Sequence, residues 1–297
     1  MEVVGEMKNR KFGTHNQAVA GVIEALLMVA LVSVVISMIQ LIYIPQIMEQ
    51  KEAEHMDLVS NQFSTLKSMI DLQGITRSSA PISSMITLGS RDLPYFITVK
   101  AFGEISVKEN PSYKITLFPE PGLPGSGTFP LTSIQYAADN SYFVDQTYIL
   151  EGGGMIVQQP EGLPVMRADP SISSLNNTNT ITLHFDLIHV IAIPGKNSTN
   201  GEGNCFIRTN YSSNRTIVDN IPKGGNISIY TEYPNAWNES LHNLLGMYVV
   251  NNLIDITWNS THSPNFIMIR PLTDGKSIML QMNVINVYVQ IGQGWIL

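Results

Sequence analysis

Charged side chains are scarce in this sequence. Lys, Arg, Asp and Glu together make up 14% of its 297 residues, where an ordinary soluble domain carries about 25%. Basic residues are the scarcer sign, 17 against 24 acidic ones, for a net charge of −7. A nucleic-acid binder needs a basic face for phosphate, so the balance argues against that class. Cysteine is nearly absent. The single Cys205 excludes a disulfide framework and a Cys-based zinc finger within the chain. Apolar residues stand at 44%, too many for an intrinsically disordered chain. Uncharged polar residues, mainly Asn, Ser, Thr and Gln, take the place of the missing charge.

Catalytic motifs are missing as well. The histidines at 15, 55, 184, 189, 242 and 262 form no HExxH and no i, i+4 pair. In a strand His184 and Asp186 share one face and His189 takes the other, which is poor geometry for a shared metal. Gly152-Gly153-Gly154 is followed by no Lys-Ser/Thr and no helix start, so it predicts a tight turn at positive φ and not a phosphate loop. No serine sits in a G-x-S-x-G elbow. Cys205 reads as part of an Asn/Gly-rich loop without a His partner. The expectation is a protein that is not an enzyme and carries no cofactor or metal. Paired carboxylates have no sequence signature, so an extracellular hydrolase stays as a minor alternative.

What is abundant is one apolar run. Ala18–Ile44 reads AVAGVIEALLMVALVSVVISMIQLIYI, with Glu24 as its only charge. At about 1.5 Å per residue this is about 40 Å of helix, enough to cross a hydrocarbon core of about 30 Å with tilt. A buried helix of a soluble protein would show a polar face over seven turns. The apolar core of a cleaved secretory signal would be shorter. Lys8, Arg10 and Lys11 precede the run; Glu49, Lys51, Glu52, Glu54 and Asp57 follow it. Retention of basic residues in the cytoplasm predicts a cytoplasmic N-terminus and an extracellular remainder. Sequons agree: N-x-Ser/Thr begins at Asn176, Asn197, Asn210, Asn214, Asn226, Asn238 and Asn259, with none earlier. These are candidate glycosylation sites on an outward face, where sugars would hydrate a surface short of charge.

Beyond the run, Pro45 predicts a kink. Met56, Val59, Phe63, Leu66 and Ile70 then recur at steps of three and four, a stripe over two heptads. The stripe packs either on the chain's own outer region or on neighbouring subunits; Gly74 reads as the helix stop. From Ile75 the pattern becomes short alternating runs broken by Gly, Pro, Asn and Asp. Strands are predicted at 96–99, 104–107, 113–118, 147–150, 155–158, 180–193, 206–208, 227–232, 247–250, 254–258, 266–270 and 277–291. Pro119–Pro130 and Pro160–Leu175 read as loops, and Ala236–Leu245 as a helix with Asn235 as N-cap and Gly246 past its end. In the last strand the apolar phase changes from even to odd between Val284 and Ile285. That predicts a β-bulge there, or burial of both faces.

The apolar run also carries a resemblance. QAVAGVIEALLMVALVSVVIS resembles the N-terminal segment of archaeal type IV pilins and pilin-like proteins, whose pattern is close to AVSPVIGVLLMVAITVILA. Ala18-Val19, Val22-Ile23 and Leu26-Leu27-Met28-Val29-Ala30 match; Ala20-Gly21 and Glu24 depart from it. VIEALLMVAL is similar to the apolar segment of bacterial type IV pilins, which carries a Glu in a like context. The likeness covers residues 17–72. The segments IPQIMEQKEAEHMDLVSNQFSTLKSMIDLQ and YILEGGGMIVQQPEGLPVMRADP look like large archaeal surface proteins with pilin-like N-termini. The resemblance implies a filament subunit whose leader a prepilin peptidase removes and whose apolar helices bundle. Gly13 is the best leader-end residue. Cuts before Gln17 or Ala20 would follow Asn16 or Val19, unlike the family's usual Gly or Ala. Glu24 then reads either as an interfacial carboxylate facing water or as one paired with a neighbour's amine during assembly. Ala18, Gly21 and Ala25 form a small-residue stripe for close helix approach.

The expected architecture is a basic leader (1–17), a transmembrane helix (18–44), an amphipathic stalk helix (45–74) and a mainly-β, sandwich-like extracellular region (75–297). A division of the β region near 160–175 is open. The expected partners are the lipid bilayer, copies of the chain or other pilin-like subunits through residues 18–72, and prepilin peptidase; nucleic acid is not expected. The function expected is a membrane-anchored surface protein that builds or joins a filament. The alternative is a monomeric anchored module that binds a surface polymer or glycan.

Overall fold

The computed structural model describes residues 16–89, 101–118, 127–259, 265–272, 276–292 and 294. The leader with Gly13, and the strand expected at 96–99, lie outside the described residues. The chain divides into two compact units, one ending at Glu49 and one starting at Gln50.

The first unit is helical, with α1 (Asn16–Met38) followed by a π-helical turn (Ile39–Tyr43) and by the start of α2 (Ile44–Thr76), whose residues from Gln50 onward belong to the second unit. Pro45 has no N–H to give the carbonyl one turn back, and its ring crowds that carbonyl. The backbone answers with a wider turn just before the proline, in which the Ile44 N–H bonds to Ile39 O. Helical structure therefore continues past Pro45. Ser33 gives its hydroxyl to Val29 O at 2.7 Å, so this polar side chain needs no outside partner.

The second unit is mainly β. Its strands are β1 (Ile82–Thr87), β2 (Phe102–Phe118), β3 (Gly127–Asp139), β4 (Thr147–Glu151), β5 (Gly154–Gln158), β6 (Val165–Ala168) and β7 (Ser171–Asn176). They continue with β8 (Thr180–Ala192), β9 (Ser198–Gly201), β10 (Asn204–Ile221) and β11 (Asn226–Tyr230). Helix α3 (Pro234–Val250) precedes β12 (Ile254–Asn259), β13 (Phe266–Pro271) and β14 (Ser277–Ile291). One sheet runs β1-β10-β14-β8-β7; the other runs β12-β13-β11-β2-β3-β4-β5-β6, with β9 also paired to β2. All pairs are antiparallel except β14 with β8.

Two apolar cores follow from how the long strands cross these sheets. Ile181, Leu183, Phe185 and Leu187 of β8 and Ile278, Leu280, Met282 and Val284 of β14 face the first core, which α3 also lines with Trp237, Leu241 and Leu245. Ile188 and Val190 of β8 and Ile285, Val287, Val289 and Ile291 of β14 face the second. The change of face falls on one register line, since Val284 pairs with Leu187 and Ile285 with Ile188. The phase change in the sequence thus marks burial on both faces, and the β8–β14 register runs through it unbroken. The register shift lies on the neighbouring strand instead, between Tyr211 and Ser213 of β10.

α2 closes the second core. Met56, Val59, Phe63, Leu66 and Ile70 are all buried there, against Tyr136 of β3, Tyr148 of β4 and the second halves of β8 and β14. Of the two partners open for the stripe, the chain's own β region is the one it packs on. Polar side chains of the same helix add directed bonds. Gln62 donates to Thr87 Oγ1 and accepts from the Thr87 N–H, while Gln73 donates to Ala80 O and Thr209 O. Glu52 is buried and accepts the backbone N–H groups of Ser141, Tyr142 and Phe143 at 3.1, 2.7 and 2.7 Å.

Several local expectations are corrected. Gly74 lies inside α2, where an added Cβ would come within 3.2 Å of Ile285, so packing explains it; the left-handed residue past the helix end is Arg77 at φ 52°. The helix at Ala236–Leu245 is longer, Pro234–Val250, with Tyr233 at the N-cap. Gly246 is inside it, and residues 247–250 are helix, not strand. Asn235 donates to Pro164 O and does not cap. Cys205 is in β10, buried opposite Ile86, and not in a loop. Residues 127–130 begin β3, and the segment read as a loop at 160–175 holds β6 and most of β7.

Candidate functional site

The surface that most needs a partner is the apolar helix. Every residue from Val19 to Tyr43 is exposed, including Leu27 at 66% and Leu41 at 76%. A soluble helix hides such side chains on one face, because burial stabilises by about 25 cal/mol per Å² of apolar area. Here no side of the helix is hidden, and it is long and apolar enough to cross a membrane. Gly21, Glu24 and Ala25 share one face through their i, i+3, i+4 spacing, and all three are exposed. The side chain of Ala18 lies outside the described residues.

The sequon asparagines scatter over the β region. Asn176 and Asn197 are exposed; the other five are half-buried. Asn210, Asn214 and Asn226 lie within strands β10 and β11. Asn176 is engaged with Lys276 at 2.6 Å, and Asn226 with Ser228 at 2.8 Å. Asn238 sits inside α3, where its sequon partner Ser240 is buried and bonded to Asp169 at 2.6 Å. The last two residues of the Asn259 sequon fall outside the described set. Asn176 and Asn197 are therefore the most accessible of the sequon asparagines, and Asn214 is half-buried.

Groups with chemical potential are placed structurally. Gly152 and Gly153 take φ of 59° and 91° and form the two-residue β4–β5 turn, as their composition predicts. His55 contacts the Tyr136 hydroxyl at 3.2 Å, and that hydroxyl donates to Leu88 O. Burial pushes the His55 pKa down, so the neutral imidazole is favoured. His189 meets the Thr132 hydroxyl at 3.2 Å; it too is lowered by burial. Burial raises the Cys205 thiol, which makes it a poor nucleophile. Among the described residues no three His, Cys, Asp or Glu side chains converge as metal ligands.

Glu151 is the group sequence reasoning missed. It ends β4, is fully enclosed, and accepts from Thr231 Oγ1 at 2.6 Å and Trp237 Nε1 at 2.8 Å. Burial pushes its pKa up to about 7, against the two hydrogen bonds and with help from Glu232. A raised folded pKa means that the native state binds the proton more tightly than the unfolded chain. Its contribution is therefore full below the unfolded value near 4.5 and is lost as pH rises through 7. Stability is expected to fall over that window by up to about 3 kcal/mol and to level off above it. Chemical denaturation across pH 4–8 should show this slope, and Glu151→Gln should flatten it.

No family model, curated protein or solved structure matches this chain. The described residues hold one apolar helix long enough to span a bilayer, followed by a mainly-β region built on two cores.

Proposed function

We propose that the protein is a single-pass, membrane-anchored surface protein of the type IV pilin-like kind, non-enzymatic, which builds or joins a filament. One observation carries this reading: the helix is exposed on every side from Val19 to Tyr43. Lipid, or like helices in a bundle, satisfy such a surface; water does not. The α2 stripe is already buried within the chain, which leaves the apolar run as the segment for helix partners. On its Gly21–Glu24–Ala25 face two small residues let a second backbone approach closely, as in membrane helix pairs. A carboxylate there pairs with a neighbouring amine once it leaves water. The leader stays in the cytoplasm and the β region lies outside, with glycans on its sequons.

The test is the intact mass of the mature N-terminus together with shearing of whole cells. A cut between Gly13 and Gln17, and recovery of the protein in the sheared fraction, are the expected results. An intact Met1 in a protein found only in membranes would overturn the filament reading. Glu24→Leu is expected to leave membrane insertion intact and to reduce incorporation into filaments at least tenfold, measured by blotting both fractions.

A further inference from the structure

A cleft of about 250 Å³ opens in the β region where α2 ends. Its floor is aliphatic, made by Ile188 and Ile285 at the line where β8 and β14 change faces. Gly74 packs against this floor, where any larger residue would meet Ile285. The walls are polar. Asp71 and Arg77 come from the helix end, and Asp186, Asn214 and Asn283 from the sheet.

The wall groups are held in place by bonds to one another and to neighbours. Asn283 Nδ2 donates to Asp186 Oδ1 at 2.6 Å, and Thr216 donates to Asn283 Oδ1 at 2.7 Å. The Tyr211 hydroxyl donates to Asn214 Oδ1 at 3.0 Å. Lys67 pairs with Asp71 at 2.7 Å. Arg77 makes no ion pair among the described residues and is exposed. Its φ of 52° is a conformation in which glycine is the relaxed choice after a helix, and any other residue costs about 1 kcal/mol. Arg77 thus lines the cleft in a backbone position that disfavours it. Strain of this kind gathers at ligand-holding positions.

Charge sorts the possible ligands. Two carboxylates repel an anion such as phosphate, and the Arg77 guanidinium with the Lys67 ammonium opposes a metal ion. Lys67 lies outside the lining but pairs with Asp71, so with Asp186 and Arg77 the local charge sums to zero. What fits is a neutral molecule with many hydroxyl groups and one apolar face. Carboxylates accept from its hydroxyls, amide and guanidinium N–H groups donate to them, and the isoleucine floor takes its C–H side. The volume is below the roughly 300–1,000 Å³ of drug-sized pockets and limits the contact to about one ring. We propose that this cleft is a subsite for a neutral pyranose sugar, with Asp71, Arg77 and Asp186 as its polar contacts. Such a site does not depend on filament assembly. The sugar has two sources, an external glycan or the chain's own glycan on Asn214, which lines the same cleft.

The test uses the full chain in detergent, made in a host that adds no glycans, and a panel of neutral hexoses and N-acetylhexosamines read by saturation-transfer NMR. At least one sugar is expected to bind in the millimolar range, and Arg77→Gly and Asp186→Asn should each weaken it at least tenfold. Arg77→Gly should leave the melting temperature equal or higher, since it relaxes the backbone, so lost binding cannot be lost folding. Absence of binding at sugar concentrations on the order of 10 mM would overturn the proposal. So would unchanged affinity in both variants, or saturation of the cleft by calcium ion or inorganic phosphate in place of sugar. Repeating the titration on glycosylated protein separates the sources. Binding lost there identifies the Asn214 glycan as occupant, and binding kept there identifies an external one. A failed filament test would leave these readouts untouched.

Discussion

Phe63→Ala is expected to lower the unfolding free energy of the β region by 3–5 kcal/mol, the range for removing an enclosed aromatic ring. Phe63 has no exposed surface. Its ring lies 6.1 Å from Tyr136 and 5.9 Å from Tyr148, and those two rings are 6.3 Å apart. Removing the centre of this triad ends two ring contacts of about 0.5–1.5 kcal/mol each and opens a cavity. The Tyr136 and Tyr148 hydroxyls are tied to Leu88 O and Met56 O, which limits collapse into the space. For about 250 residues such a loss lowers the melting temperature by about 10 °C. Leu58, 46% exposed on the same helix, is the control, and Leu58→Ala should cost under about 0.5 kcal/mol. The pair also tests where the stripe is buried. If neighbouring subunits covered it, Phe63→Ala would weaken assembly and leave the dispersed protein as stable as before.

Glu52→Leu should destabilise the same unit by about 2–4 kcal/mol. Its carboxylate collects three successive backbone N–H groups in the segment that follows β3. Bonds to an ionised acceptor contribute about 1.5–3 kcal/mol, more than neutral ones. Leucine fills the space but leaves those donors without an acceptor. Water compensates in part, because Ser141 and Tyr142 are exposed. Glu52→Gln keeps one acceptor oxygen and should cost about half as much. Hydrogen exchange at residues 141–143 checks the cause: protection should drop there first, and a uniform drop across the second unit would contradict the local explanation.

Glu52 also shows where sequence reading stops. Among Glu49, Lys51, Glu54 and Asp57 it looks like one more solvated charge beside a membrane span. Only the chain some 90 residues later supplies the amides that bury it. Glu151 is similar, for its partners Thr231 and Trp237 come from segments 80 and 86 residues away. The β3 sequence GTFPLTSIQYAAD does not read as a strand, because it mixes proline, small residues and an unclear alternation. Its burial comes from neighbours on both sides, β2 and β4. The short β6 and β7 were hidden by the turn-forming Asp169-Pro170 between them.

What the sequence by itself determined are the features that depend on neighbours in the chain. The long apolar helix is one, since hydrophobicity over consecutive residues decides it. The length of the helical segment past Pro45, the two-glycine turn and the change of phase at Val284–Ile285 are others, because each is a matter of local period or backbone freedom. Tertiary structure alone decided which faces meet. It turned the α2 stripe inward onto Tyr136 and Tyr148, chose two-sided burial over a bulge in β14, and brought Arg77 and Asp186 into the lining of one cleft. The physical reason is that a period states that a face will be buried. The identity of what buries it is carried by residues far away, brought near only when the sheets close.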